Sequence, residues 1–334
     1  MAYRPLTTHY LPFEQPLKAF DERICKLEDL SKQNHVDLTG EIAEQVALRE
    51  KYLREVNAKL SAWDRVQLAR HVNRPQTLDY VELMCEEFIE LHGDRAFGDD
   101  RALITGLAQM DGQRFMLLGQ HKGRDVAERS KCNFGSPQPE GYRKALQKMR
   151  LAEKMQLPIV ALIDTKGAAP DIGAEERGQS EAIARNLMVM SGLKVPIVCV
   201  VIGEGGSGGA LGIGIGDRLM IQEFAYFSVI SPEGCASILW KDAERKADAA
   251  EALKITAPEL VRLGVMDSIV PEPLGGAHRD HAGAAAILRK TILRTVRELS
   301  SMPLSQMLDQ RYRKLRSMGR YREDVIEQLA QPAV

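Results

Sequence analysis

Residues 203–216 read Gly-Glu-Gly-Gly-Ser-Gly-Gly-Ala-Leu-Gly-Ile-Gly-Ile-Gly, directly behind the apolar run 195–202 that opens with Val195-Pro196. The run predicts a buried strand, and the glycines predict a tight turn that opens a short helix. Glycine accepts positive φ and lets a ligand approach bare N–H groups, while a helix start leaves amides without intrahelical partners at the positive end of a dipole. Backbone amides that bind negative charge are the expected chemistry. Tight strand-to-helix packing is the bland alternative. It has to explain eight glycines in fourteen residues, although each glycine inside a helix costs about 1 kcal/mol relative to alanine.

A second unit of the same kind lies upstream. The run 157–164 predicts another buried strand, which ends in Asp164-Thr165-Lys166-Gly167-Ala168-Ala169-Pro170 before the helix-compatible stretch 174–190. Two successive strand, turn, helix units place two sets of amides at one sheet edge. Amides near Gly208 and Gly209 then form an oxyanion hole for a carbonyl oxygen that gains charge during reaction. Substituting Gly208 with Val is expected to displace them.

Two other patterns overlap the turn. Gly203, Gly205 and Gly208 satisfy G-x-G-x-x-G, with Glu223 about where a ribose-binding acid falls, but two strand-like runs come earlier and Gly212, Gly214 and Gly216 spoil the following helix. Gly205-Gly206-Ser207-Gly208-Gly209 satisfies G-x-S-x-G, with Asp267 and then His278 or His281 in the order of a hydrolase triad, but no His-Gly-Gly motif precedes it. A Ser207 that only shapes the turn predicts that Ser207→Ala keeps most activity.

Elsewhere, apolar positions such as Ile42, Val46, Leu53, Val56 and Leu60 give 13–61 the look of an amphipathic helical hairpin. Residues 77–91 read as a helix ending at Gly93, and 102–110 with 115–120 flank Asp111-Gly112 as a β-hairpin. Tyr142, Ala145, Leu146, Met149, Ala152 and Met155 mark a helix; beyond Trp240 the chain reads as helical apart from 265–270, with 282–300 an interface or capping helix. The order is a repeated ββα.

With 334 residues, a net charge of −1 and 44% hydrophobic residues, the composition fits one main globular domain with an appendage. Nucleic acid is an unexpected partner, because the basic clusters 121–124 and 311–322 read as an anion or solvent contact and as the solvated face of a terminal helix. No apolar run approaches a membrane span of roughly 18 residues, and no secretory h-region is seen, so a cytoplasmic protein is expected. Cys25, Cys85, Cys132, Cys199 and Cys235 are scattered and odd in number, which predicts reduced thiols. No metal site is expected: His278 and His281 have no third ligand nearby in sequence and read as loop residues.

Longer stretches carry a resemblance. Asp164 to Pro170, Gly173-Ala174-Glu175-Glu176-Arg177-Gly178-Gln179-Ser180-Glu181-Ala182-Ile183-Ala184, the 203–211 turn and Val229-Ile230-Ser231-Pro232-Glu233-Gly234-Cys235-Ala236-Ser237-Ile238-Leu239-Trp240 closely resemble the alpha subunits of bacterial acetyl-CoA carboxylase carboxyltransferases. Asn133-Phe134-Gly135, 139–146, 271–278, Arg74-Pro75 and 77–80 extend the match over nearly the whole chain.

The resemblance implies an α/β crotonase-like (ClpP/crotonase) superhelix of repeated ββα units. It divides into an N-terminal helical segment (1–76), a carboxyltransferase domain (77–300) and a C-terminal helical tail (301–334). It implies transfer of a carboxyl group from carboxybiotin on a carrier protein to acetyl-CoA, giving malonyl-CoA for fatty acid synthesis. Gly208 and Gly209 take the role of oxyanion-hole amides, Gly167 and Ala168 form the adjacent turn, and Gly205, Gly206 and Ser207 lie on the carboxybiotin side. The implied partners are a zinc-ribbon-bearing beta subunit, in an α2β2 heterotetramer, with biotin carboxyl carrier protein and biotin carboxylase.

In agreement, the chain has no Met-Lys dipeptide and no phosphate loop, so biotin arrives in trans and ATP-driven bicarbonate activation lies elsewhere, and with no CxxC pair the zinc implied by the resemblance falls to the beta subunit. The family usually has Pro where this chain has Lys166 and Gly where it has Asp171. Glu175, Glu176 and Glu233 read as helix-capping residues or partners of Arg177. A serine hydrolase, a dinucleotide enzyme and a non-catalytic scaffold subunit stay open as alternatives.

Overall fold

The computed structural model describes residues 9–319. Its eight strands are β1 (Glu87–Glu90), β2 (Leu103–Met110), β3 (Gln113–Gln120), β4 (Ile159–Thr165), β5 (Ile197–Gly206), β6 (Arg218–Gln222), β7 (Tyr226–Ser228) and β8 (Ser268–Val270). They form one sheet in the order β1-β2-β3-β4-β5-β6-β8. The β1-β2-β3 meander is antiparallel and every pairing from β3 onward is parallel. Central parallel strands are covered on both faces and so read as continuous apolar runs. Accordingly, every residue of β4 and β5 is buried.

Two neighbours share β5. Its first half pairs with β6 through Val198–Val201, whereas Glu204, Gly205 and Gly206 pair with Tyr226, Phe227 and Ser228 of β7. The β4–β5 ladder is irregular at the same level, between the pairs Ile163/Val201 and Thr165/Gly205.

Helices cover both faces. Tyr142, Ala145, Leu146 and Met149 of the helix Pro139–Lys154 join Ala182 and Met190 of Gln179–Gly192 against the Ile159, Ala161, Ile163, Cys199 and Val201 face. On the other face, Tyr80 and Met84 of Thr77–Met84 and Leu288, Ile292 and Val296 of His281–Ser300 pack on Val160, Leu162, Val198 and Val200. The helices Gln15–Asn34 and Thr39–Asn57 form the expected N-terminal hairpin, tied by the ion pair of Arg49 with Asp21 at 2.6 Å.

Four expectations change. The helix from Thr77 stops at Met84, and Glu87-Phe88-Ile89-Glu90 is the edge strand β1, whose alternation was hidden behind the apolar periodicity before it. The stretch 174–190 is two helices, Ile172–Glu176 and Gln179–Gly192, parted by Gly178 at φ 79°. Of the two roles expected for 282–300, helix His281–Ser300 takes the capping one: it buries its apolar stripe on its own sheet, which leaves that stripe unavailable to a partner. The basic stretch near Arg311 is only partly a solvated face: Arg311 of the helix Leu304–Ser317 is among the most buried large side chains, while residues 320–322 lie outside the described residues.

Candidate functional site

The strand run and the glycine turn overlap more than the sequence suggested. Gly203 to Gly206 are the last residues of β5, and the five-residue helix Ser207–Leu211 starts at once. Ser207 bends the chain with φ 51°. The amides of the first helical turn at Ser207, Gly208 and Gly209 have no intrahelical acceptor.

Packing explains seven of the eight glycines. A Cβ on Gly203, Gly205, Gly206, Gly209, Gly212, Gly214 or Gly216 would fall under 3.0 Å from another atom: the Asp164 carboxylate for Gly203, the Phe227 ring for Gly205, the Tyr142 ring for Gly212. Gly208 is different. A Cβ there meets only Ile183 Cδ1 at 3.8 Å, and Gly208 does not have left-handed φ. Its missing side chain leaves open space beside a bare amide.

The second turn presses on the first. A Cβ on Gly206 would meet the backbone of Lys166 and Gly167, and one on Gly209 the backbone of Gly167 and Ala168. The sequence candidates Gly167, Ala168, Gly205, Gly206, Ser207, Gly208 and Gly209 are thus brought together, but their exposure differs. Gly205, Gly206 and Gly209 are buried, Gly167, Ala168 and Gly208 are half-buried, and Ser207 is exposed. Gly167 N donates to Thr165 Oγ1 at 3.0 Å, so Ala168 N–H is the amide this turn can offer. Gln120 and Tyr142, both buried, donate to Gly209 O at 2.8 Å and 3.0 Å. Gln120 also accepts from Asp164 N at 3.1 Å, so one amide side chain ties the end of β4 to the short helix that follows β5.

A cleft of about 170 Å³ opens beside these ends, lined among others by Arg70, Gln76, Lys122, Phe134, Asp164 and Glu204. Sequence reasoning gave Lys122 an anion or solvent contact and could not see its partners, which come from distant segments. Lys122 Nζ sits 2.6 Å from Asp164 Oδ1 and 2.8 Å from Glu204 Oε1. Glu204 Oε2 accepts from Arg70 Nε at 2.8 Å and from Tyr226 OH at 2.6 Å. Burial would raise the Glu204 pKa, but the Lys122 and Arg70 charges overcome it and pull the carboxyl down to about 2. Burial likewise opposes the Lys122 charge, yet its two carboxylates hold the pKa above the usual lysine value. Lys122 therefore meets internal carboxylates instead of an external anion.

Glu233 pairs with Arg70 at 2.6 Å, and Arg177 pairs with Glu140 at 3.2 Å, instead of with Glu175 or Glu176, which are exposed. The two unusual turn residues also find roles. Asp171 caps the next helix by accepting from Ala174 N at 2.9 Å, and exposed Lys166 carries its ammonium 5.6 Å from the Phe134 ring centroid.

The geometry opposes the competing patterns. Gly203 and Gly205 lie inside a strand, where they cannot form a dinucleotide turn, and Glu223 accepts from Glu272 N at 3.2 Å. Among the described residues no hydrolase triad is assembled: His278 is held by Glu14 at 3.0 Å, His281 by Asn73 O at 2.6 Å, and Asp267 by Lys314 at 2.9 Å. A fluorophosphonate probe is expected to leave Ser207 unlabelled, because only an activated serine reacts. Since Ser207 has positive φ, Ser207→Gly is a less strained probe than alanine and is expected to keep activity within a few-fold of the parent. Stoichiometric labelling would restore the nucleophile.

Glu14, His71 and His278 do converge, with potential ligand atoms within 4.8 Å. Most of their donor atoms are already committed, although buried His278 Nδ1 has no partner. Arg279 Nε shares the Glu14 oxygen at 3.1 Å, and the His71 nitrogens face Asn73 N at 3.1 Å and His9 O at 3.2 Å. Burial pushes the His71 pKa down to about 3, leaving it neutral. The cluster ties the N-terminal hairpin to the domain.

Among the described residues no helix is long and apolar enough to cross a membrane. Residues 10–319 match the family model described as acetyl co-enzyme A carboxylase carboxyltransferase-like. An acetyl-coenzyme A carboxylase carboxyl transferase subunit alpha from Methylococcus capsulatus is 53% identical over 314 residues, covering 94% of this chain and 98% of its own. A Pseudomonas malonate decarboxylase hetero-tetramer in complex with coenzyme A matches with TM-score 0.57 and 15% identity over 75% of this chain and 95% of its own. The transcarboxylase 12S core matches with TM-score 0.56 and 17% identity over 70% and 44%. These two support the crotonase-like fold, and at their identity they speak to fold alone. From the family model and the near-full-length relative together, the chain belongs to the acetyl-CoA carboxylase carboxyltransferase family, as a subunit of the alpha type.

Proposed function

We propose that this chain supplies one half of a carboxyltransferase site, with Gly208 and Gly209 N–H, assisted by Ala168 N–H, stabilising an oxyanion as a carboxyl group passes from carboxybiotin on a carrier protein to acetyl-CoA. Malonyl-CoA is the product. The observation that carries this reading is the bare space at Gly208, the one glycine of the turn that packing does not require. Carboxybiotin would supply the carboxyl group, and the ureido group left behind, negatively charged at oxygen, would take the α-proton that acetyl-CoA loses as the new C–C bond forms. Preorganised amides stabilise such charge without reorganising during the reaction. Gln120 and Tyr142 anchor Gly209 O, in the peptide that directly follows the Gly209 N–H.

The other half of the site belongs to a zinc-bearing beta subunit of the same fold, in an α2β2 heterotetramer that works in the cytoplasm with biotin carboxyl carrier protein and biotin carboxylase. Exposed apolar side chains near the turns fit a protein contact there. Ile172 and Met188 flank one helix pair, and Val229, Ile238 and Leu239 follow β7, each well over half exposed. This replaces helix His281–Ser300 as the expected contact.

Mixing separately purified subunits tests the proposal. The isolated chain is expected to be inert with acetyl-CoA and a carboxybiotin donor, and the mixture to form a hetero-oligomer by light scattering and to make malonyl-CoA. Full activity from the isolated chain, or no association, would overturn it.

A further inference from the structure

We propose that Lys122 is a positioning residue for this reaction: its ammonium clamps the carboxylates that end β4 and β5 and so holds the two turns at one fixed separation. The inference rests on the two turns being the reactive centre.

The turns touch through backbone, but the ladder that leads into them is irregular. Between the pairs Ile163/Val201 and Thr165/Gly205, β4 advances by two residues while β5 advances by four. Ladder hydrogen bonding is therefore interrupted directly before Lys166-Gly167-Ala168 on one strand and Gly205-Gly206-Ser207-Gly208 on the other. Side chains fill the gap. Asp164 Oδ1 accepts from Glu204 N at 2.9 Å, across a Gly203 whose Cβ would collide with that carboxylate. Lys122 Nζ then joins Asp164 to the Glu204 carboxylate at 2.6 Å and 2.8 Å. A compact ammonium with three donors can bridge two carboxylates on different strands.

The charges around the bridge come from every neighbouring segment. Arg70 follows the helix Ala62–Ala69 and holds Glu204 and Glu233, Tyr226 of β7 donates to Glu204, and Arg74 and Arg124 lie close enough to interact with Asp164. Without the Lys122 ammonium, Asp164 and Glu204 face a common point with like charge. One carboxyl of such a pair takes up a proton more readily. A shared proton can then replace the missing bridge at low pH but not at high pH.

The test is Lys122→Met in the assembled two-subunit enzyme. At about pH 8.5 its kcat is expected to fall roughly a hundredfold below the parent, the scale of a 1 Å misplacement, with KM for acetyl-CoA little changed. The ratio of variant to parent kcat should rise as pH is lowered toward about 6, because protonating either carboxyl relieves the like charge. Hydrogen exchange on the full chain should quicken at amides 164–168 and 204–209 and stay unchanged in β2 and β3. Parent-like kcat, or the same fractional loss at both pH values, would overturn the proposal.

Asp164→Asn keeps shape and serves if the methionine variant does not fold. It should lower kcat less, with no recovery at low pH, and parent-like kcat would count against the bridge. A fully active Gly208→Val enzyme would sink the site assignment itself. An inactive Gly208→Val enzyme beside an unaffected Lys122→Met enzyme would sink only the role of Lys122.

Discussion

A Gly208→Val chain is expected to fold, to assemble with its partner subunit, and to turn over roughly two to three decades more slowly than the parent, the range for losing one oxyanion donor. The substitution is expected to cost little stability because the nearest atom to a Cβ at this position is Ile183 Cδ1, at ordinary contact distance. Valine instead fills the space beside the amide, which differs from the displacement of amides expected from sequence. Its neighbour supplies the control. Gly209→Ala would drive a methyl into the backbone of Gly167 and Ala168, so it should lower stability and activity together. Thermal melts, light scattering and single-turnover rates on both variants separate the cases. A Gly208→Val enzyme with parent kcat would remove these amides from the chemistry.

Arg311→Met is expected to lower stability by about 3–5 kcal/mol, the cost of leaving one member of a buried ion pair alone. Met307 and Arg311 are the buried residues of the helix Leu304–Ser317. Arg311 binds Asp217 through two contacts, at 2.8 Å and 2.7 Å, and donates to the carbonyls of Met190, Leu193 and Val195 at 2.7–2.9 Å. Asp217 also accepts from Ile197 N at 2.8 Å, which ties the helix to the first residue of β5. Replacing both charges, as Arg311→Met with Asp217→Leu, should recover only part of the loss because three carbonyls still lack their donor. Urea unfolding followed by circular dichroism measures this, and a single variant within about 1 kcal/mol of the parent would show the pair to be dispensable.

The legible parts of the chain were those where one segment carries the whole signal. Runs such as 157–164 and 195–202 are apolar because both sheet faces are covered, and the Asp111-Gly112 hairpin is a local turn, with positive φ at both residues. The glycines were legible as a turn, but their separate roles were not. Seven answer to side chains and backbone brought in by folding, as Tyr142 meets Gly212, and only coordinates distinguish them from Gly208. Arg311 and Lys122 were misread for a related reason. A basic residue in a charge-rich stretch reads as solvated, and nothing local reveals an aspartate 94 positions away in the chain or carboxylates on two other strands. Strands β6, β7 and β8 are three to five residues long, too short for periodicity to declare them.

The division of β5 between two neighbours has a kinetic consequence. The segment leading into the Gly208 turn is hydrogen-bonded to β7 and braced by the Lys166–Ala168 backbone, with none of the slack of a surface loop. If the Gly208 amide serves the chemistry as proposed, it cannot also serve as a gate, since opening it would mean breaking the middle of a sheet. On that reading, commitment to reaction would be decided by the arrival and departure of the carrier-borne group and the acyl thioester, so control of flux would fall to encounter and release between proteins while the electrostatic surface itself stays constant through every cycle.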